Sequence, residues 1–286
     1  MKQLAARLIS SAILIAISCW ALFAGPLWAF ALVLTGFIAL ALQEFFAMAR
    51  HRGIAVNYWL SIGLGVVFTA LVAWRSLVEP GLMDAPGLAG SSALLHWTWE
   101  IFWPATIVLI FLRQLTRENT FEALTSLATT LFGLAYIAGL LSYLFYIRAL
   151  NGRHGAWLVL YLALVTKMGD AGAFFIGKAF GRHTLVARIS PRKTIEGSLG
   201  GVLTSAATGA LAQSLVPQLG DSWMLGALVG LALGVAGEVG DLAESLIKRD
   251  CQIKDSGRIP GLGGVLDVLD SIIFTAPLFY AFLIYR

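Results

Sequence analysis

Ionisable side chains are unusually dense in one stretch of this 286-residue chain, which runs from Gly240 to Ser271. The remainder is strongly apolar, because 58% of all residues are hydrophobic and only 13% are charged. Apolar sequence flanks the stretch on both sides. Ionisable groups between two membrane spans are costly and usually serve a function. We therefore interpret this stretch as a functional site.

The first part of the stretch places polar groups on one face of a predicted helix. Asp241, Ser245 and Lys248 are spaced i, i+4, i+7, with Glu244 beside them and Glu238 three residues before Asp241. Carboxylates and a lysine on one face can bind a divalent cation together with a phosphate. Oxygen ligands favour Mg²⁺, which takes one or two carboxylates and substrate phosphates. The alternative is a set of intrahelical ion pairs.

The second part contains Asp267 and Asp270, three residues apart at the start of the last predicted span, with Ser271 beside them. The glycine-rich residues 260–264 precede them and can present backbone N–H groups to an anion. Two aspartates in an otherwise apolar helix indicate metal ligands. The alternative is helix capping by aspartate in the first turn.

A third candidate is the basic segment 189–201. Ser190 is predicted to cap a helix that has Pro191 at its first position. Lys193 would then stand where a phosphate binds, with Thr194 adding a hydroxyl group. The alternative is an ordinary basic loop followed by a capped helix.

Lys167 and Asp170 form a fourth candidate, because they are spaced i, i+3 inside a predicted span. A charged pair inside a membrane helix indicates a functional group, although a neutralising structural pair is the alternative. Cys19 and Cys251 lie in different environments and are predicted to be free thiols.

The elements that position these groups are predicted to be membrane helices. Apolar runs of about 20 residues, the length that crosses the hydrocarbon core of a bilayer, recur along the chain. We predict an all-α, polytopic transmembrane helical bundle with about nine spans. The spans are placed at 7–24, 27–49, 57–78, 97–114, 121–149, 155–180, 197–216, 222–248 and 264–285. Residues 1–150 are interpreted as scaffold helices and residues 151–286 as catalytic helices of one integral bundle.

Basic residues set the expected orientation. With the N-terminus in the cytoplasm, fifteen of the twenty Lys and Arg residues fall in cytoplasmic segments and four on the opposite side, while Lys167 lies within a span. This asymmetry follows the positive-inside rule and predicts a cytoplasmic N-terminus. The charge of +4 is thus accounted for by loops, and no nucleic-acid partner is expected.

These residues together resemble the phosphatidate cytidylyltransferase family, also called the CDP-diacylglycerol synthases. The family signature is close to S-x-x-K-R, four residues, K-D, then P-G-H-G-G-x-x-D-R-x-D. The matching residues are Ser245, Lys248, Arg249, Lys254, Asp255, Pro260, Gly261, Gly263, Gly264, Asp267 and Asp270. The upstream family patterns resemble the segments 170–177 and 190–201. Two positions differ, since Leu262 replaces the family histidine and Val268 replaces the arginine.

The resemblance implies an enzyme of phospholipid biosynthesis in the cytoplasmic (inner) membrane, a multi-pass nucleotidyltransferase that converts CTP and phosphatidic acid to CDP-diacylglycerol and pyrophosphate. The implied catalytic residues are Asp241, Lys248, Arg249 and Asp267. Metal ligation, by Mg²⁺ with room for a second cation, is implied for Asp241, Asp267 and Asp270. Substrate binding is implied for Asp170, Ser190, Lys193, Thr194, Ser245, Lys254, Asp255, Gly263 and Gly264.

Other functions stay open at this point. A CTP-dependent lipid kinase or a related lipid-phosphate cytidylyltransferase would use similar groups. An ion-coupled transporter could line a path with Lys167, Asp170, Glu238 and Asp241, but the sequence has no inverted repeat and its charges gather at one membrane side. The oligomeric state is open, with a homodimer as one option.

Overall fold

The computed structural model describes residues 14–78, 93–117, 121–150, 154–216, 219–220, 222–257 and 264–285. In this part of the chain the fold is helical apart from one small hairpin. In order, the elements are α1 (Leu14–Ala24), α2 (Leu27–His51), α3 (Tyr58–Val78), α4 (Ala93–Leu115), α5 (Ala123–Gly133), α6 (Tyr143–Ala149), α7 (His154–Phe180), β1 (Thr184–Val186), β2 (Ser190–Thr194), α8 (Ile195–Ala212), α9 (Trp223–Asp250) and α10 (Val265–Tyr285). A π-helical segment, Leu134–Gly139, follows α5 directly.

Among the described residues, six helical segments are long and apolar enough to cross a membrane, as expected for a polytopic membrane protein. They are Leu27–His51, Tyr58–Leu77, Ala123–Ala149, His154–Phe180, Trp223–Asp250 and Val265–Tyr285. Each coincides with a predicted span. The predicted spans 97–114 and 197–216 overlap α4 and α8, and the described part of 7–24 contains the short apolar α1. The total of nine spans and the orientation remain predictions.

The helices α7, α8 and α9 pack with their backbones in close contact. A methyl group at Gly226 of α9 would lie 2.6 Å from the carbonyl oxygen of Gly209 in α8, and one at Gly230 would collide with the carbonyl of Ser205. Tyr161 of α7 donates a hydrogen bond to the same carbonyl of Gly209 at 3.3 Å. Small residues allow this approach, as in other membrane helix pairs.

The last helix, α10, lies between the two halves of the bundle. It packs against α9 and α7 of the C-terminal half and against α2 and α6 of the N-terminal half. Its inner face is buried, with Leu266, Ile273 and Phe279 fully inaccessible to solvent. Whatever fixes the start of α10 therefore also fixes the residues that it presents to α7 and α9.

The predicted helix start at Ser190 is wrong. Ser190 and Pro191 lie in β2, which pairs antiparallel with β1 through Thr184–Thr194 and Val186–Ser190. The helix begins at Ile195, and Thr194 caps it by accepting a hydrogen bond from the backbone N–H of Gly197 at 3.1 Å. The backbone groups of this segment form the hydrogen bonds of the hairpin and are not available for the predicted first helical turn. The helix cap therefore lies four residues later in the chain than predicted.

Candidate active site

A cavity of about 360 Å³ opens where α7, the β1–β2 hairpin, α8 and α9 meet. Four elements line it, namely α7, β2, α8 and α9, and each contributes at least one polar side chain. Its polar lining consists of Asp170, Lys178, Ser190, Arg192, Lys193, Thr194, Ser198, Glu238 and Asp241. The sequence-predicted residues Asp170, Ser190, Lys193, Thr194 and Asp241 are thus brought to one site.

Lys193 is the central cation of this cavity. Its ammonium group lies 2.9 Å from Oε2 of Glu238 and 2.8 Å from Oδ2 of Asp241, and its side chain is only 19% exposed. Burial alone would lower the pKa of Lys193, but Asp241 and Glu238 together raise it above its ordinary value. Lys193 is therefore a permanent positive charge at neutral pH, held by two carboxylates that a phosphate could replace.

A second lysine links α7 to α10. The Lys167 ammonium donates hydrogen bonds to Oδ2 of Asp170 at 2.9 Å and to Oγ of Ser271 at 2.8 Å. It also lies 3.9 Å from Oδ1 of Asp270. The Ser271 hydroxyl group donates in turn to Oδ2 of Asp170 at 3.1 Å. The predicted pair of Lys167 and Asp170 thus becomes a four-residue network across two helices.

The two lysine networks adjoin because α9 and α10 cross at a glycine. A methyl group at Gly240 would lie 2.5 Å from the carbonyl oxygen of Asp270. Asp241, which follows Gly240 and binds Lys193, is therefore next to the helix turn that carries Asp270. Ser245, one turn further along α9, lies 3.3 Å from Oδ1 of Asp241. This crossing joins the predicted metal ligands Asp241 and Asp270 in one cluster.

Lys248 has a different set of partners. Its ammonium group contacts the fully buried Glu244 one turn earlier and lies 2.7 Å from Oδ1 of Asp267. The other oxygen of Asp267 accepts the backbone N–H groups of Ser256 at 3.2 Å and Gly264 at 3.0 Å. Asp267 therefore caps the start of α10 and neutralises Lys248 at the same time.

Other predicted residues lie away from the cavity lining. Arg249 is exposed and donates hydrogen bonds to the carbonyl oxygens of Ile189 and Ile253, at 3.0 and 3.3 Å. Lys254 and Asp255 are exposed, and no described residue forms a hydrogen bond or ion pair with their side chains. Gly263 lies outside the described residues, as does Leu262, which replaces the family histidine. Arg249 thus supports the loop that carries β2.

The donor chemistry of the cluster fits Mg²⁺. No described residue donates a hydrogen bond to Oδ1 of Asp170 or to Oδ2 of Asp270, and Oδ1 of Asp241 accepts only from Ser245. The described residues contain no ready-made group of three or more His, Cys, Asp or Glu residues for a metal. Mg²⁺ in phosphoryl-transfer sites takes only one or two carboxylates and completes its shell with substrate phosphates and water. The carboxylates present therefore suffice for it.

Spacing in the sequence does not indicate all of the contacts in the site. Glu238 lies 2.9 Å from the Lys193 ammonium group on β2, and Lys167 lies 2.9 Å from Asp170. The Glu44 carboxylate of α2 contacts the start of α10. A lone carboxylate in an apolar helix was the available signal for Glu44.

Comparison with known proteins assigns the chain to a family. Residues 5–285 match the family described as "Cytidylyltransferase family". The phosphatidate cytidylyltransferase of Synechocystis sp. is 34% identical, over 97% of this chain and 96% of that protein. The phosphatidate cytidylyltransferases of Chlamydia muridarum and Staphylococcus epidermidis are 30% and 33% identical, over 95% and 75% of this chain and 88% and 86% of theirs. This chain, with its charged cavity at the ends of membrane helices, belongs to the cytidylyltransferase family.

Proposed function

We propose that this protein transfers the cytidylyl group of CTP to phosphatidic acid, giving CDP-diacylglycerol and pyrophosphate. The observation that carries the proposal is the match to the cytidylyltransferase family over residues 5–285, together with the lysine–carboxylate cavity within it. The relatives named as phosphatidate cytidylyltransferases support the same substrates.

In this reaction an oxygen of the lipid phosphate attacks the α-phosphorus of CTP. A new P–O bond forms there, the bond from the α-phosphorus to the bridging oxygen breaks, and pyrophosphate leaves with the electron pair. The lipid phosphate is already ionised at neutral pH, so no side chain needs to remove a proton from the nucleophile. What the protein must supply is position and positive charge, because both reactants are anions.

Lys193 is suited to supply that charge. Its ammonium group exchanges Glu238 and Asp241 for phosphate oxygens and then stabilises the negative charge that grows on the α-phosphate and the pyrophosphate. Thr194 and Ser190 line the same cavity and offer hydroxyl groups to phosphate oxygens. Lys167 keeps Asp170 and Ser271 in place beside them.

Asp241 and Asp270 would hold Mg²⁺ through the oxygens that face the cluster, with Asp170 adjacent. When bound, this cation supplies Lewis-acid polarisation of the phosphates and neutralises their charge. Asp267 was predicted as a further ligand. It could take that role only after Oδ1 leaves Lys248, since Oδ2 already accepts two backbone N–H groups.

The number of membrane spans and the orientation of the protein in the membrane are part of the same proposal. Nine spans with a cytoplasmic N-terminus would place the cavity at the cytoplasmic face of the inner membrane, where CTP is available. Fifteen basic residues in the segments assigned to that side support this orientation. Reporter fusions at the two termini test it, because an odd number of spans requires opposite locations. A homodimer is the proposed assembly, and light scattering in detergent would contradict it by giving the mass of one chain.

A label-transfer experiment tests the function. Purified protein is incubated with phosphatidic acid and CTP labelled at either the α- or the γ-phosphate. With CTP labelled at the α-phosphate, we expect the label in the lipid. Unlabelled pyrophosphate should be released in an amount equal to the lipid that is labelled. Transfer of the γ-label instead would identify a CTP-dependent lipid kinase and refute the proposal. Ion flux in sealed vesicles without any label transfer would identify a transporter.

A further inference from the structure

Glu44 of α2 lies at the start of α10, although 221 residues separate it from Val265 in the chain. One carboxylate oxygen accepts the backbone N–H of Val265 at 2.9 Å, and the other accepts that of Leu266 at 2.9 Å. The second oxygen also accepts the Ser256 hydroxyl group at 3.0 Å. Val265, Leu266 and Ser256 are all buried, so water does not compete for these donors.

The first turn of α10 requires an acceptor from elsewhere in the protein. The first N–H groups of a helix have no partner within the helix, and a side chain at the preceding residue normally accepts one of them. Here the preceding residue is Gly264, which has no side chain. Asp267 reaches back to the N–H of Gly264 at 3.0 Å, but Val265 and Leu266 depend on Glu44. A negative charge at this end also interacts favourably with the helix dipole.

The space around the carboxylate is closely fitted. A methyl group at Gly264 would lie 2.8 Å from Oε2 of Glu44 and 2.8 Å from Oδ2 of Asp267. A methyl group at Gly257 would collide with Oε1 of Glu44. Gly257 and Gly264, which both precede α10 in the chain, therefore each approach the Glu44 carboxylate closely.

Two routes connect Glu44 to Asp267, and through it to Lys248. Ser256 donates its hydroxyl group to Glu44 and its backbone N–H to Asp267, at 3.0 and 3.2 Å. The backbone groups held by Glu44 immediately precede Asp267 in the helix. The carboxylate of Asp267 in turn fixes the Lys248 ammonium group at 2.7 Å. Removing Glu44 weakens both of these routes at once and leaves Asp267 with its contacts to Gly264 and Lys248.

We infer that Glu44 is a positioning residue for the reaction, which sets the place of Asp267 and Lys248 from the N-terminal half of the bundle. It does not touch the cavity lined by Lys193, so it should affect turnover more than CTP binding. The inference rests on the proposed function for its kinetic assay. A direct measurement of the α10 start does not depend on that function.

The test compares Glu44→Ala and Glu44→Gln with Gln43→Ala, a matched control on the exposed face of the same helix. Misplacement of a catalytic group by about 1 Å can cost about 100-fold in rate, so we expect a kcat loss approaching that in Glu44→Ala. Glu44→Gln retains one acceptor oxygen and should fall between Glu44→Ala and the wild type. KM for CTP should stay near the wild-type value in both, and Gln43→Ala should match the wild type throughout.

Amide hydrogen exchange provides the second measurement. Faster exchange in Glu44→Ala confined to the segments around Ser256 and Val265, with unchanged exchange in α7 and α8, would support the inference. An unchanged kcat in both Glu44 variants would overturn it. Faster exchange throughout the bundle with kcat and KM changing together would also overturn it, because that is a general loss of folding. If the wild type transfers no cytidylyl group, the proposed function fails, while the local exchange result still decides whether Glu44 anchors α10.

Discussion

Replacement of Lys193 by methionine tests the proposed chemistry most directly. Methionine keeps a long, unbranched side chain in the cavity but removes the ammonium group that lies 2.8 Å from Asp241 and 2.9 Å from Glu238. Those carboxylates then lose the ammonium group between them, and the phosphate that replaces them during the reaction loses that charged donor.

The expected loss follows from the role of Lys193 as a donor to developing charge. Removing one donor of this kind from a preorganised site typically lowers kcat by about 10²–10³, or roughly 3–4 kcal/mol of transition-state stabilisation. Lys193→Arg retains the charge but replaces a compact ammonium group with a planar fork, so it should recover only part of the rate. The cost to folding should be smaller, because the Asp241 side chain is 33% exposed and water can solvate it.

The assay is transfer of the α-label of CTP to phosphatidic acid by purified variants in detergent. Arg113→Gln is the control, since it removes one exposed positive charge from the end of α4, where Arg113 donates a hydrogen bond to Thr116 at 2.8 Å. Turnover of Lys193→Met at the level of the Arg113→Gln control would refute the assignment of Lys193.

The pH dependence of the wild type provides a separate check on Lys193. Its folded-state pKa is raised, so its contribution to stability is complete below the ordinary lysine pKa of about 10.4 and is lost only as pH rises through the higher folded value. Deprotonation of Lys193 should therefore leave no inflection in the rate between about pH 6 and about pH 9. An inflection in this interval that Lys193→Arg abolishes would contradict the raised pKa.

Four further predictions can be checked with the same protein. Asp241→Asn should abolish label transfer without unfolding, and near-normal turnover would exclude Asp241 as a metal ligand. Chelation by EDTA should stop the reaction and added Mg²⁺ should restore it, whereas full activity in excess chelator would exclude a divalent cation. Val268 is 37% exposed on α10, so Val268→Arg should be tolerated, and a collapse of activity would show that this surface contacts substrate. Hydrogen bonds from the backbone of Arg182 and from His183 lower the pKa of Glu196 to about 2. The contact of Glu196 with these two residues should therefore persist above about pH 4.3 and be lost as pH falls towards 2. Amide hydrogen exchange of the hairpin, measured across this pH range, checks this.

The main helices could be predicted because their signal is local. An apolar run of about 20 residues is visible in the sequence whatever its neighbours are. The segment from 190 to 194 could not be predicted in the same way. Its strand pairing depends on contact with Thr184 and Val186, whereas Ser190 and Pro191 carry a strong local signal for a helix start.

The candidate site was predictable in its residue types but not in its pairings. Asp241, Ser245 and Lys248 share a face by spacing, yet Asp241 contacts Lys193 on β2 and Lys248 contacts Asp267 on α10. Asp241 and Lys248 lie about 10 Å apart along α9, so they could share one site or belong to two separate pairs. Only the tertiary packing of α8 and α10 against α9 decides between these arrangements. Glu44 shows the same limit, since its partners follow it by more than 200 residues.

The glycine contacts between α8 and α9 also determine which routes into the protein are closed. Backbone lies against backbone at Gly209, Gly226 and Gly230, and even one added methyl group would meet a carbonyl oxygen. Neither an acyl chain nor a hydrated ion can pass between the two helices at that depth. The seam between α8 and α9 therefore offers no route to the cavity, and substrates must use another of its sides. A membrane enzyme can in this way keep charged groups at the end of its spans without becoming a leak for protons.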